Sequence, residues 1–180
     1  MGNEWLALTG VVLGAVLSYL VGMLNERTRW RRERAARWDG LLLQAYSDYG
    51  QAIKECVVAY QRLAAHKSLT EDPTPVEPTI DALEQAAQAE AKRASMTEPL
   101  RLLADPATAV AVRKLNDAVW HLEWIARGGL RADSASWDQA YRDYRAARQA
   151  FYEKARASLQ VPGEVIAERP SWPPPWRVRA

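Results

Sequence analysis

Twenty consecutive residues, Trp5 through Leu24, carry no charge, and Arg27, Arg29, Arg31, Arg32 and Arg34 follow at once. A helix rises ~1.5 Å per residue, so such a stretch covers about 30 Å, the thickness of a bilayer's hydrocarbon core. A small soluble domain can rarely cover every face of an apolar helix that long. The sequence therefore predicts a transmembrane anchor over residues 1–25. A cleaved signal peptide fits less well, because Met1-Gly2-Asn3-Glu4 carries no positive leader and Asn25-Glu26-Arg27 offers no small-residue cleavage site. A myristoyl anchor is excluded by Leu6, which stands where a Ser or Thr would be needed.

Arginines beside a membrane span stay on the cytoplasmic side. Six of them, Arg27 to Arg37, stand on one side of the apolar stretch, against Glu4 and the terminal amine on the other. The N-terminus is expected outside the cell membrane and the remaining chain in the cytoplasm, as a single-pass protein. Trp5 and Trp30 fit the two headgroup layers, and Arg27, Arg29, Arg31, Arg32 and Arg34 are expected to touch anionic headgroups from a basic juxtamembrane stalk, residues 26–39. Gly10, Gly14, Ser18 and Gly22 recur every four residues, which puts small side chains along one stripe of the anchor. In lipid such a stripe lets a second helix approach closely, so self-association is expected there, with a foreign helix as the competing occupant.

Charge weighs against nucleic acid as a partner. The chain carries +2 in all; residues 1–25 carry −1 and residues 26–39 carry +3, which leaves residues 40–180 neutral. A neutral domain lacks the basic face that a phosphate backbone needs.

Beyond the stalk the pattern is helical throughout. Leu42, Tyr49, Cys56 and Leu63 fall seven apart, with Ala45, Ala52, Ala59 and Tyr46, Ile53, Tyr60 beside them, and this first helix is expected to run to about His66. The prolines of Glu71–Pro78 predict a loop. Thr79 should cap a second helix that ends near Ala94, turns a thin inward face of Ile80, Leu83, Ala87 and Ala91, and is interrupted by Pro99. Asp105-Pro106 opens a third helix with the stripe Val112, Leu115, Val119, Leu122, Ile125, and Gly128-Gly129 closes it. Ser134 or Ser136 should cap a fourth, which buries Trp137, Tyr141, Tyr144, Phe151, Ala155 and Leu159 before Val161-Pro162-Gly163. The fold class is thus all-α: the anchor, then an antiparallel four-helix-type bundle over residues 40–160, then an extended tail over residues 161–180.

The tail holds Trp172-Pro173-Pro174-Pro175-Trp176. Consecutive prolines favour a polyproline helix, and two large aromatics are unusual in a segment with nothing to bind. The segment is a candidate partner-binding tail whose competing role is to dock on its own bundle.

Catalytic constellations are not legible. Cys56 lies on an apolar stripe, where a buried thiol is commoner than a nucleophile, and neither His66 nor His121 has the Glu three residues earlier that carboxylate-bridged metal bundles use. No glycine loop for phosphates and no zinc spacing is present. Trp120 and Trp124, one turn apart, read as core or interface filling, with a ligand pocket as the rival role. No catalytic residue, cofactor, metal or small-molecule substrate is expected.

The Arg-rich juncture, Arg101-Leu102-Leu103-Ala104-Asp105-Pro106 and Ala155-Arg156-Ala157-Ser158-Leu159 together resemble the small actinobacterial membrane proteins that join one N-terminal transmembrane helix to an Ala- and Arg-rich cytoplasmic helical domain. The likeness is architectural, spans all 180 residues and brings no activity with it. The Pro- and Trp-rich tail departs from that pattern. The expectation is a membrane-anchored helical module that recruits or senses a protein partner at the cytoplasmic face and self-associates through its anchor. The alternative is an accessory subunit of a larger membrane complex for transport, secretion or defence.

Overall fold

The computed structural model describes residues 38–72 and 74–163. Among them lie four helices and no strand: α1 over residues 38–66, α2 Ile80–Leu103, α3 Pro106–Arg127 and α4 Ser134–Ser158. No described helix is long and apolar enough to cross a membrane. The apolar stretch Trp5–Leu24 and the tail from residue 164 onward lie outside the described residues.

Each helix end has a local cause. Thr79 Oγ1 accepts from the Ala82 amide at 3.2 Å, satisfying one of the donors that a helix start leaves bare. Asp105 accepts from the amides of Ala107 and Thr108 at 2.9 and 3.2 Å and from the Thr108 hydroxyl, while Pro106 occupies the first turn, where its missing donor is harmless. The cap of α4 is Asp133, one residue before the serines expected to do this work; its carboxylate accepts from Ser136 N and Oγ at 2.8 and 2.6 Å. A carboxylate gains from the positive end of the helix dipole as well as from the hydrogen bond, so it displaces Ser134 and Ser136. Gly128, at φ 85°, makes the left-handed turn that ends α3.

Two helices close in the same left-handed way without glycine. In α1 the amides of Ser68 and Leu69 bond back to Ala65 and Ala64, and in α4 those of Gln160 and Val161 bond back to Ala157 and Arg156. Ser68 and Gln160 carry the positive φ of 58° and 54° that this paired closure demands.

Contacts set the topology. Tyr46 meets Ser158 and the Tyr49 ring meets Phe151, so α1 and α4 run antiparallel. Arg93 reaches Asn116 while Glu90 reaches Trp120, so α2 and α3 do too. Tyr49 lies beside Val112 and Lys67 beside Gly128, which makes α1 and α3 parallel. The result is an up-down-up-down bundle.

The core follows the expected stripes on three helices. Tyr49, Ile53, Cys56, Tyr60 and Leu63 of α1, Val112, Leu115, Val119, Leu122 and Ile125 of α3, and Trp137, Tyr144, Phe151 and Ala155 of α4 are buried. Tyr141 and Leu159 rest half-buried against it. Phe151 takes the edge of two tyrosine rings, Tyr46 at 5.8 Å and Tyr49 at 5.2 Å, a geometry aromatic quadrupoles favour. Gly50 is buried where a Cβ would stand 3.1 Å from the Tyr152 hydroxyl, so α1 and α4 close at that level on a missing side chain.

The second helix departs from its expected form twice. It continues through Pro99 to Leu103, because ending at Ala94 would leave Leu100 in water, whereas the continued helix buries it. Its inward face is also rotated. Leu83 rests half-buried against the core, but Ile80 is 83% exposed and Ala87 and Ala91 face water, while Ala86, Arg93, Thr97 and Leu100 are buried. A guanidinium with partners has displaced a row of methyl groups.

Candidate functional site

Arg93 is the unexpected member of the interior, only 2% exposed. An isolated cation could not remain there, since leaving water is costly unless charge and hydrogen bonds compensate. Its Nε donates to Glu90 Oε2 at 2.7 Å and its Nη2 to Glu90 Oε1, so the guanidinium and carboxylate meet side by side within α2. Its Nη1 donates to Asn116 Oδ1 of α3, and Tyr49 of α1 donates to that same oxygen at 2.8 Å. Trp120 completes the arrangement: its indole N–H donates to Glu90 at 2.8 Å while its ring lies 5.1 Å from the Arg93 guanidinium carbon. Three helices are thus joined by one polar cluster.

The electrostatics are those of a cluster that holds charge in place. Burial alone would raise the Glu90 pKa, but hydrogen bonds from Arg93 and Trp120 outweigh it and hold the carboxyl below its ordinary range. Burial alone would lower that of Arg93, and Glu90 reverses the effect. Burial pushes the Cys56 thiol up to about 12 and raises the hydroxyls of Tyr49 and Tyr60 above the ordinary tyrosine range. The Tyr60 hydroxyl is enclosed, with Cys56 and Glu90 nearby, yet makes no hydrogen bond of normal geometry. Cys56 therefore stays a thiol rather than a thiolate, and its reactivity is correspondingly low.

Beside this cluster, between α2 and α3, opens a groove of about 210 Å³. Thr97, Leu100 and Arg101 form one wall, and Ala109, Val112, Arg113, Asn116, Asp117 and Trp120 form the other. The groove exists because α2 touches α3 over a short stretch, whereas α3 lies along α4 over much of its length. Asn116 links cluster and groove. Arg93 can only donate, so the amide oxygen must face it; Nδ2 is left over and meets no acceptor among the described residues. The groove thus has an apolar floor of Leu100 and Val112, an aromatic side at Trp120 and donors at Asn116, Arg101 and Arg113.

The residues singled out in the sequence fall differently. The stripe Gly10, Gly14, Ser18, Gly22, the headgroup set Trp5, Arg27, Arg29, Trp30, Arg31, Arg32, Arg34 and the tail set Trp172, Pro173, Pro174, Pro175, Trp176 all lie outside the described residues. Trp120 lines the groove at 44% exposure, so it does not fill the core. Trp124 does not join it; it is 58% exposed and covers Gly129. Cys56 is buried as expected, and His66 and His121 face water. Among the described residues no three His, Cys, Asp or Glu side chains are grouped to hold a metal ion.

The helical stripes do not mark Arg93, Glu90 or Asn116. Their one trace in the sequence is Glu90-x-x-Arg93, an opposite-charge pair at helix-neighbour spacing between Ala86 and Leu100. Asn116, set among the charged Arg113, Lys114 and Asp117, leaves no such trace on α3. Compared with known proteins, the chain matches no family model, no curated protein and no solved structure.

Proposed function

We propose that this chain is a single-pass membrane protein whose cytoplasmic bundle binds a protein partner through the α2–α3 groove, with self-association through the anchor stripe. The observation that carries the binding role is the groove itself: a half-exposed Trp120 beside an Asn116 amide donor with no acceptor of its own. Exposed aromatics next to arginine and fixed polar groups are the composition of protein-binding hot spots. At about 210 Å³ the groove falls below the roughly 300 Å³ at which small-molecule sites begin, so it suits an inserted side chain better than a free ligand. The membrane assignment is supported by the uncharged run Trp5–Leu24 and the arginines that follow it.

Two measurements test this. The full chain should stay in the membrane pellet after alkaline carbonate washing, with its C-terminal part cut by protease only after the cells are opened. A proteolysis pattern in which intact cells lose the C-terminal part refutes the orientation. Proteins that co-purify with the full chain in mild detergent should be lost when Arg113 and Trp120 are both changed to Ala, a pair that also removes the indole bond to Glu90 and so lowers the melting temperature modestly without unfolding the chain. Co-purification unaffected by that pair would remove the groove from the reading.

A further inference from the structure

We infer that the groove's resident occupant is the chain's own C-terminal segment, Trp172–Arg177, with a tryptophan seated beside Trp120 and proline carbonyls facing Asn116. This rests on the reading of the groove as a recognition surface, and adds what fills it before a partner arrives.

Hydrogen-bond complementarity is the first argument. The groove offers donors at Asn116 Nδ2, Arg101 and Arg113, with Asp117 as the acceptor on its rim. A run of three prolines is the inverse: each residue presents a carbonyl and none has an N–H. Placed in such a groove it satisfies donors without bringing in any of its own to be stranded. Ordinary peptide segments would bury an unmatched amide for nearly every carbonyl they use. The flanking indole N–H groups of Trp172 and Trp176 are the exceptions, and Asp117 is the group available to accept from one of them.

Size and order favour the same segment. The groove is large enough for an inserted side chain, and an aromatic anchor in a small pocket is the form hot spots take. Prolines are already extended before binding, so docking them gives up less conformational entropy than docking a flexible chain.

Reach is the third argument. Tyr46 Oη lies 3.0 Å from Ser158 Oγ, so α4 ends at the level where α1 passes Tyr46; one turn on, Tyr49 meets Val112 in the groove wall. The tail therefore departs from the end of the bundle at which the groove lies. Eight residues lie between Gly163 and Trp172, and the nine steps of chain that join the two span up to roughly 30 Å when extended. Crossing two helices at interaxial distances of about 8–10 Å needs less than that. The exit is also held: the left-handed closure at Gln160 and the bond from Arg156 Nη2 to Pro162 O at 2.7 Å fix the first residues beyond α4.

A photo-crosslinker, p-benzoylphenylalanine, placed at Arg113 in the full chain tests the assignment. The chain is reconstituted in vesicles as an equal mixture of ¹⁵N-labelled and unlabelled protein. The expected product links position 113 to the segment 170–178, with both crosslinked peptides from one isotope, and its yield falls at least tenfold in the variant carrying Trp172→Ala and Trp176→Ala. Links of mixed isotope would overturn the assignment in favour of a second copy's tail. Links to another segment, or none to the tail in a protein that melts like the parent, would overturn it outright. The binding role of the groove is judged separately, by whether Arg113→Ala with Trp120→Ala loses co-purifying proteins. A groove that binds a partner but never captures residues 170–178 therefore defeats this inference and leaves the other standing.

Discussion

The bundle has two kinds of seam. Where α1, α3 and α4 meet, Ile53, Leu115, Val119, Leu122, Trp137 and Phe151 are buried in one apolar cluster. Where α2 closes the fourth side, its fully buried apolar residues are Ala86 and Leu100, and Arg93 and Thr97 fill the remaining buried positions. A buried leucine or phenylalanine contributes about 1.5–3 kcal/mol, whereas a buried ion pair roughly breaks even against the water it gave up. The first seam therefore supplies stability, and the second mainly fixes where α2 sits. That position opens the groove. A helix held by a full apolar stripe would have closed against α3 and left no groove.

The largest expected effect breaks the apolar seam. Phe151→Ala removes the ring on which Tyr46 and Tyr49 lean, and should lower stability by about 3–5 kcal/mol in thermal or urea unfolding of the full chain. A loss under ~1 kcal/mol would mean that the aromatic cluster is not central to the core.

Next comes the polar seam. Arg93→Ala leaves Glu90 without its cation and should lose about 2–3 kcal/mol, less than a fully buried pair would, because Glu90 keeps some contact with water. Arg93→Met combined with Glu90→Leu should recover most of that, since neither charge is then stranded. If the double variant is as unstable as Arg93→Ala, the pair does more than fix position. Acid should act like the single variant. The folded pKa of Glu90 is lowered, so its contribution is fully present above the unfolded value near 4.3 and is lost as pH falls through the folded one.

Helix ends give smaller effects that belong to neither seam. The Asp105 carboxyl is partly desolvated, which alone would raise its pKa, but hydrogen bonds from Thr108 and Ala107 hold it below the ordinary range. Asp105→Asn keeps the cap and removes the charge, so it should lower stability by up to about 1 kcal/mol at neutral pH. The same sign rule applies: the wild-type advantage is present above the unfolded carboxyl pKa near 3.9 and should vanish as pH drops through the folded one. A difference in melting temperature that stayed constant down to pH 2 would contradict the assignment. The smallest expected change is a gain. Gln160→Gly relieves a side chain at φ 54° and should stabilise the chain by several tenths of a kcal/mol to about 1.

Legibility followed the same division. The stripes of α1, α3 and α4 could be read because carbon-rich side chains recur every three or four residues, and that period survives without knowledge of any partner. The buried face of α2 could not, because whether Arg93 is inside depends on Asn116 and Tyr49, which are distant in sequence and meet it only after folding. The row of methyl groups puts Ala87 and Ala91 inward, about one residue out of phase with the buried face. The stop expected before Pro99 failed for a related reason: burial of Leu100 outweighs one lost backbone bond, and that burial is tertiary. The groove inherits this. Trp120 is legible as an aromatic, but its setting depends on Glu90 and Arg93, which no local pattern shows.

The division between a stable apolar wedge and a helix held by polar contacts is tested most directly by native-state hydrogen exchange on the full chain. Amides of α2 around Arg93 should open with a smaller free energy than those of α3 around Leu122, and Arg93→Met with Glu90→Leu should move α2 without moving α3. Equal protection of the two helices, lost together in one step, would contradict it.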